Sequence, residues 1–150
     1  MNLCFILRLY NIKFSFATHD NNFRVFLATC YTELMKEIIE AYYLKQKEPE
    51  KSCLLALRSI LLSFDTEHMS EEWKYGLPFL YYKKKPYCYF WKDPKSKQPY
   101  IGYSKGFLFS HPQLIKGNRT RIKILPIDTN SDIPIETLRE LFELSRIHYK

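Results

Sequence analysis

The hydrophobic pattern divides the chain into an opening stretch with no sustained period and, from Thr32 on, a succession of periodic elements. Met35, Ile38, Ile39, Tyr42 and Tyr43 recur at helical spacing behind Thr32, a residue type that caps helices, and predict one helix with its apolar stripe toward a core. Glu48-Pro49-Glu50 restarts the pattern. Proline suits the first turn, the acids complement the N-terminal dipole, and Leu54, Leu57, Arg58 and Leu61 share one side as far as Ser63. Asp65 or Thr66 then caps a shorter predicted helix through Glu71, Glu72 and Trp73, which Gly76 and Pro78 stop.

After Pro78 the pattern becomes a series of short aromatic runs. Phe79 to Tyr82, Tyr87 to Trp91 and Tyr100 to Tyr103 are separated by lysine- and proline-rich turns and predict strands of an antiparallel meander. Phe107 to Phe109 follows a turn at Ser104-Lys105-Gly106, and Ser110 with Gln113 forms a capping box for one helical turn, which Gly117 stops. Arg119 to Ile124 alternates strictly, which places Thr120, Ile122 and Ile124 toward the core and Arg119, Arg121 and Lys123 together on the opposite face. A last helix opens at Asp132-Ile133-Pro134, with Ile135, Leu138, Leu141, Phe142 and Ser145 on one side. Helices, then strands, then a helix predict an α+β fold: an antiparallel sheet of about five strands with helices packed on one face and the other face partly exposed.

Residues 1–34 are set apart from this domain, which occupies 35–150. They lack a period and a capped amphipathic run, although residues 1–31 hold seven aromatic side chains. Two readings stand: a start codon assigned too early, with Met35 as the working start, or a strand or docking arm built on Phe14, Phe16, Phe23 and Phe26. The apolar run Leu3 to Leu7 is cut by Arg8 and has no basic region before it, so it is not a secretory signal. Thr29 before Cys30 is bulkier than a lipoprotein cleavage site accepts.

Composition narrows the class. The 150 residues are 46% apolar and 26% charged, enough for one core and without an apolar run long enough to span a bilayer, so a soluble cytoplasmic protein is expected. Cys4, Cys30, Cys53 and Cys88 show no redox or zinc spacing and are read as reduced thiols, with Cys53 and Cys88 inside apolar segments. The net charge of +7 is unevenly placed. Residues 74–123 hold twelve cations against one acid, Asp93, while the stretches 35–73 and 124–150 are net acidic.

No reaction is specified by these residues. His19, His68, His111 and His148 are scattered, Ser104 and Ser110 lack a nucleophile elbow, and four glycines form no phosphate loop. The feature with a physical case for binding is the basic, aromatic sheet. Its candidate residues for an anionic partner are Arg119, Arg121, Lys123, Lys83, Lys84, Lys85, Tyr87, Tyr89 and Trp91. If Tyr87, Tyr89 and Trp91 face water they suit stacked bases of single-stranded nucleic acid; if they face the helices they are core. Lys83 to Lys85 also read as charges that discourage edge pairing.

Four short stretches stand in one order: Leu57 to Leu61, Glu72 to Phe79 with its Lys-Tyr-Gly-x-Pro core, Tyr100 to Gly106, and Asp132-Ile133. Together, over about Met35 to Ser145, they resemble the YdhG-like domain family, most of whose members have no known function. The resemblance implies a frataxin-like two-layer sandwich and, by analogy with frataxin, an intracellular iron chaperone as one possible activity. No residue carries over as an iron ligand, and no cofactor is expected. The expectation from the residues themselves is a non-catalytic binding module whose basic sheet face meets an acidic protein or nucleic acid. Iron or metal handling is the alternative, and a small-molecule enzyme the second alternative.

Overall fold

Alternation governs far more of the chain than its helical-looking stretches suggest. The computed structural model describes residues 21–150, and the chain forms two compact units, Met1–Thr32 and Glu33–Lys150. Phe14 and Phe16, and the side chains of Phe23 and Phe26, lie outside the described residues. The helix α1 spans Asn21–Leu44, so Thr32 does not cap it; its hydroxyl instead donates to the Ala28 carbonyl one turn back, at 2.8 Å.

In the second unit, β1 (Met69–Lys74), β2 (Leu77–Tyr82), β3 (Lys85–Lys92), β4 (Pro99–Tyr103) and β5 (Lys123–Pro126) form one antiparallel sheet. Strand order follows chain order. The remaining helices are α2 (Glu50–Ser63) and α3 (Ile135–Arg146). The structure thus has the α+β class and the five-stranded antiparallel sheet expected, with two elements that the sequence pattern did not predict.

The first is β1, where a short helix was predicted. Asp65 organises only a turn: its carboxylate accepts from the His68 backbone N–H at 3.1 Å, and its carbonyl accepts from Met69 N–H at 2.8 Å. From Met69 on, alternate residues face the helices (Met69, Glu71, Trp73) or away from them (Ser70, Glu72, Lys74). The chain then reverses through Tyr75 and Gly76, both at positive φ, the hairpin geometry that glycine favours. The second lies at Phe107 to Phe109, the run that follows the turn at Ser104-Lys105-Gly106. Gly106–Leu108 is a 3₁₀ turn, and only Phe109 of that run is buried.

The core lies on one side of the sheet. Ile39 and Tyr43 of α1, Leu54, Leu57 and Leu61 of α2, and Leu138, Leu141 and Phe142 of α3 join Leu80, Cys88, Phe90, Ile101 and Leu125 in a single buried cluster. All three helices therefore serve one sheet face. Ile135, predicted on the buried side of α3, is exposed in the first turn of that helix, and the stripe begins at Leu138.

Each edge of the sheet is finished differently. The outer edge of β5 is bridged by Ile115, whose N–H and carbonyl both bond Ile124 at 2.8 and 2.9 Å. At the other end of the order, β1 carries Glu71, Glu72 and Lys74, charges that disfavour pairing with another strand.

Candidate functional site

A second aromatic layer lies on the face of the sheet away from that core. Phe79, Tyr81, Tyr100 and Ile124 are buried yet belong to no part of the helix-side cluster. Register explains them. Phe79 stands opposite Tyr89, Tyr89 opposite Gly102, and Gly102 opposite Ile124, one row across four strands. The Phe79 and Tyr89 rings stack with centroids 4.8 Å apart. A Cβ on Gly102 would lie 2.5 Å from the Tyr89 ring, so glycine is what lets that ring lie flat over β4.

This layer floors a shallow trough of about 590 Å³, lined among others by Lys74, Tyr75, Tyr89, Trp91, Tyr100 and Arg121. Tyr75 is 81% exposed and Trp91 47% exposed at its rim. The Tyr75 ring meets Phe79 edge-on at 5.8 Å. Cations surround these rings: Lys74 lies 5.2 Å from the Tyr75 centroid and 5.7 Å from that of Tyr81, Arg119 5.7 Å from that of Tyr100, and Arg121 5.4 Å from that of Phe107. The Tyr81 hydroxyl beside Lys74 raises the lysine pKa and favours its charged form. Burial, with Tyr100 next to it, raises the pKa of Tyr89. Among the described residues, none of Lys74, Arg119 and Arg121 makes an ion pair with a carboxylate.

The nine residues singled out in the sequence are thereby divided. Tyr89, Trp91, Arg119 and Arg121 share the trough side of the sheet. Tyr87 does not, because it is the extra residue of a β-bulge: Leu80 pairs with Cys88 but Tyr81 pairs with Pro86. The bulge breaks the alternation, so Tyr87 and Cys88 are both fully buried on the helix side, and the Ser145 hydroxyl lies 3.2 Å from Tyr87 Oη. Arg119 and Arg121 precede the strand predicted to run through them, which begins only at Lys123, and from Lys123 on its faces are opposite to those predicted. Ile124 stands opposite Gly102 on the trough side, whereas Lys123 pairs with Tyr103 and donates to the Phe109 carbonyl and to Ser110 Oγ.

Lys83, Lys84 and Lys85 sit at the far end of the sheet rather than on its face. Lys83 and Lys84, both at positive φ, form the β2–β3 turn. Lys85 donates to the main-chain oxygen of Lys150 at 3.0 Å, and Lys105 donates to the His148 carbonyl at 2.8 Å. Lys85 and Lys105 thus serve carbonyls left unpaired beyond the end of α3.

Sequence reasoning missed Lys74 and Tyr75, which it placed at the end of a helix. The signal present was the pair Tyr75-Gly76 between two alternating runs, a short hairpin pattern. It also missed the polar cluster on the helix side. Glu71, with its side chain 8% exposed, accepts from Tyr43 Oη at 2.7 Å and from Arg58 Nε at 2.7 Å, and Arg58 reaches Glu40 at 3.0 Å. Burial and the adjacent Glu71 push the Tyr43 pKa well up. Every member of this cluster is occupied by another, which suits a structural clasp between α1, α2 and β1.

Among the described residues, no three His, Cys, Asp or Glu side chains converge to hold a metal ion, and no helix is long and apolar enough to cross a membrane. Glu33, Glu48 and Glu50 pair with Lys36, Lys51 and Lys92. No protein-family model, curated protein or solved structure matches the chain. The resemblance to the YdhG-like family rests on the short motifs alone, and no matching structure stands behind the frataxin-like arrangement it implies.

Proposed function

We propose that this chain is a non-catalytic binding module whose sheet face away from the helices receives an anionic partner. The observation that carries this reading is the company kept by the exposed rings: Tyr75 and Trp91 border a trough lined by Lys74 and Arg121, with Arg119 over Tyr100 beside it, and none of the three cations has a carboxylate partner among the described residues. Such cations attract anions from a distance, and a low-dielectric aromatic floor strengthens the attraction once water is displaced. Glu72, at the β1 end of the Phe79–Tyr89 row, is the one acid that the register places on this face.

The test is charge reversal. A triple variant, Lys74→Glu, Arg119→Glu and Arg121→Glu, is expected to lose most of the binding of inorganic polyphosphate measured by calorimetry. The matched reversal of Lys83, Lys84 and Lys85, which changes net charge equally but not the trough, is expected to lose much less. Equal losses in the two variants would reduce the effect to net charge and remove the site.

A further inference from the structure

We infer that the partner of this face is single-stranded nucleic acid, recognised by stacking of its bases on Tyr75 and Trp91. The inference rests on the anion-binding reading and adds what the cations alone leave open. An acidic peptide would use Lys74, Arg119 and Arg121, but its carboxylates offer no aromatic face to stack on the rings. Nucleobases have a π-face on every residue of the polymer, and stacking on an aromatic side chain tolerates any base.

Three features of the trough fit that chemistry. Its exposed rings stand at the rim, while the stacked Phe79 and Tyr89 form a rigid floor, held flat by the missing side chain at Gly102. Tyr89 and Tyr100 place hydroxyl-bearing rings 6.5 Å apart along that floor, giving donors and acceptors within reach of base edges. The cations lie at both ends of the trough. Lys74 precedes the β1–β2 turn, and Arg121 is two residues before Lys123, which pairs with Tyr103 at the opposite end of the sheet. A single strand running from Lys74 to Arg121 would set its bases on Tyr75 and Trp91 near the Lys74 end and carry its phosphates on toward Arg121.

A duplex is the wrong form. Its bases are stacked on each other, and their faces are not available to a side chain until they are splayed apart. The arrangement also fixes the expected salt dependence. Neutralising about three phosphates of a single strand predicts a log–log slope of affinity on salt near −2, shallow for a nucleic-acid binder, with the remainder of the affinity insensitive to salt.

The experiment is fluorescence anisotropy of a labelled oligothymidylate with the full chain, run beside inorganic polyphosphate and polyglutamate as competitors. The variants are Trp91→Ala and Tyr75→Asn, the second because asparagine tolerates the positive φ of that position. Circular dichroism checks that each remains folded. The expected result is that the oligonucleotide binds more tightly than either competitor. Each variant should lose about ten- to a hundredfold of that affinity, against a few-fold at most for polyphosphate. If polyphosphate binds as well as the oligonucleotide and neither variant matters, nucleic acid is overturned and the anion-binding module stands. Preference for polyglutamate overturns it in favour of an acidic protein. Binding to none of the three overturns both readings.

Discussion

The two faces of this sheet are built from the same residue types and do different work. On the helix side, Tyr82, Tyr87, Tyr103 and Tyr149 interlock edge-to-face with Phe142 and with each other, and α1, α2 and α3 seal them from water. On the other side, Phe79, Tyr89, Tyr100 and Trp91 lie across the strands beneath a rim of cations. Residue type therefore does not decide whether a tyrosine is core or platform. Position in the register decides it, and a single inserted residue in β3 sends Tyr87 to one side and Tyr89 to the other.

Two adjacent residues of β3 lie on opposite faces of the sheet. Phe90 is 1% exposed on the helix side and Trp91 is 47% exposed on the trough side. Phe90→Ala is expected to destabilise by about 3–5 kcal/mol in urea unfolding through the cavity it leaves. Trp91→Ala should cost about 1 kcal/mol or less while abolishing most binding. Comparable destabilisation by both would mean that the trough side is also covered core.

Next in size is the clasp. Glu71→Ala leaves the buried Tyr43 hydroxyl and the Arg58 guanidinium short of a partner, an expected loss of about 2–3 kcal/mol. Arg58 keeps Glu40 and some solvent contact, which holds the figure below that of a fully buried pair. Stability unchanged by this substitution would show that the cluster contributes nothing net. Gly102→Ala forces the Tyr89 ring to move, because the new Cβ meets it at 2.5 Å. It is expected to cost about 1–3 kcal/mol and to weaken oligonucleotide binding even though residue 102 is buried and touches no ligand.

The smallest effect, near its onset, is alkaline. Tyr87 and Tyr103 are fully buried, and desolvation raises their pKa well above the ordinary value of 10.0. A raised phenol pKa means that the folded state holds its proton more firmly than the unfolded chain. The contribution is complete below pH 10 and is lost progressively as pH rises toward the folded pKa. Tyrosinate absorbance of the native protein should thus appear late for these two, and together with unfolding. Early titration of all twelve tyrosines would contradict the burial described.

Much of the fold was legible because its periods are strong. The stripe Leu54, Leu57, Leu61 marked α2, the aromatic runs marked β2, β3 and β4, and Leu138, Leu141 and Phe142 marked α3. The failures have specific physical origins. Met69 to Trp73 carries two glutamates, which read as part of a helix capped at Asp65 or Thr66, but Glu71 is held inside by Tyr43 and Arg58, partners distant in sequence. The bulge at Tyr87 follows Pro86, a residue that reads equally well as the end of the lysine-rich turn and so gave the extra residue no separate signal. The alternation of Arg119 to Ile124 predicted a strand that in fact begins only at Lys123, and there the faces are exchanged, because Lys123 finds acceptors at Phe109 and Ser110 and so shares the side of Leu125. The candidate site was therefore half visible: its rings and two of its arginines, without Lys74 and Tyr75.

Strand order has a consequence for how quickly the sheet can assemble. Because β1 to β5 pair only with their neighbours in sequence, no strand must wait for a distant part of the chain before it finds a partner. The Tyr75-Gly76 and Lys83-Lys84 reversals close very small loops, and the entropy of closing a loop grows with its length. Hairpins can thus form early and be extended one strand at a time, while α1, α2 and α3 supply the burial that makes the result permanent. Among mixed α and β domains of similar size, this topology belongs at the fast end of the refolding range, since rate falls as contacts become more distant in sequence.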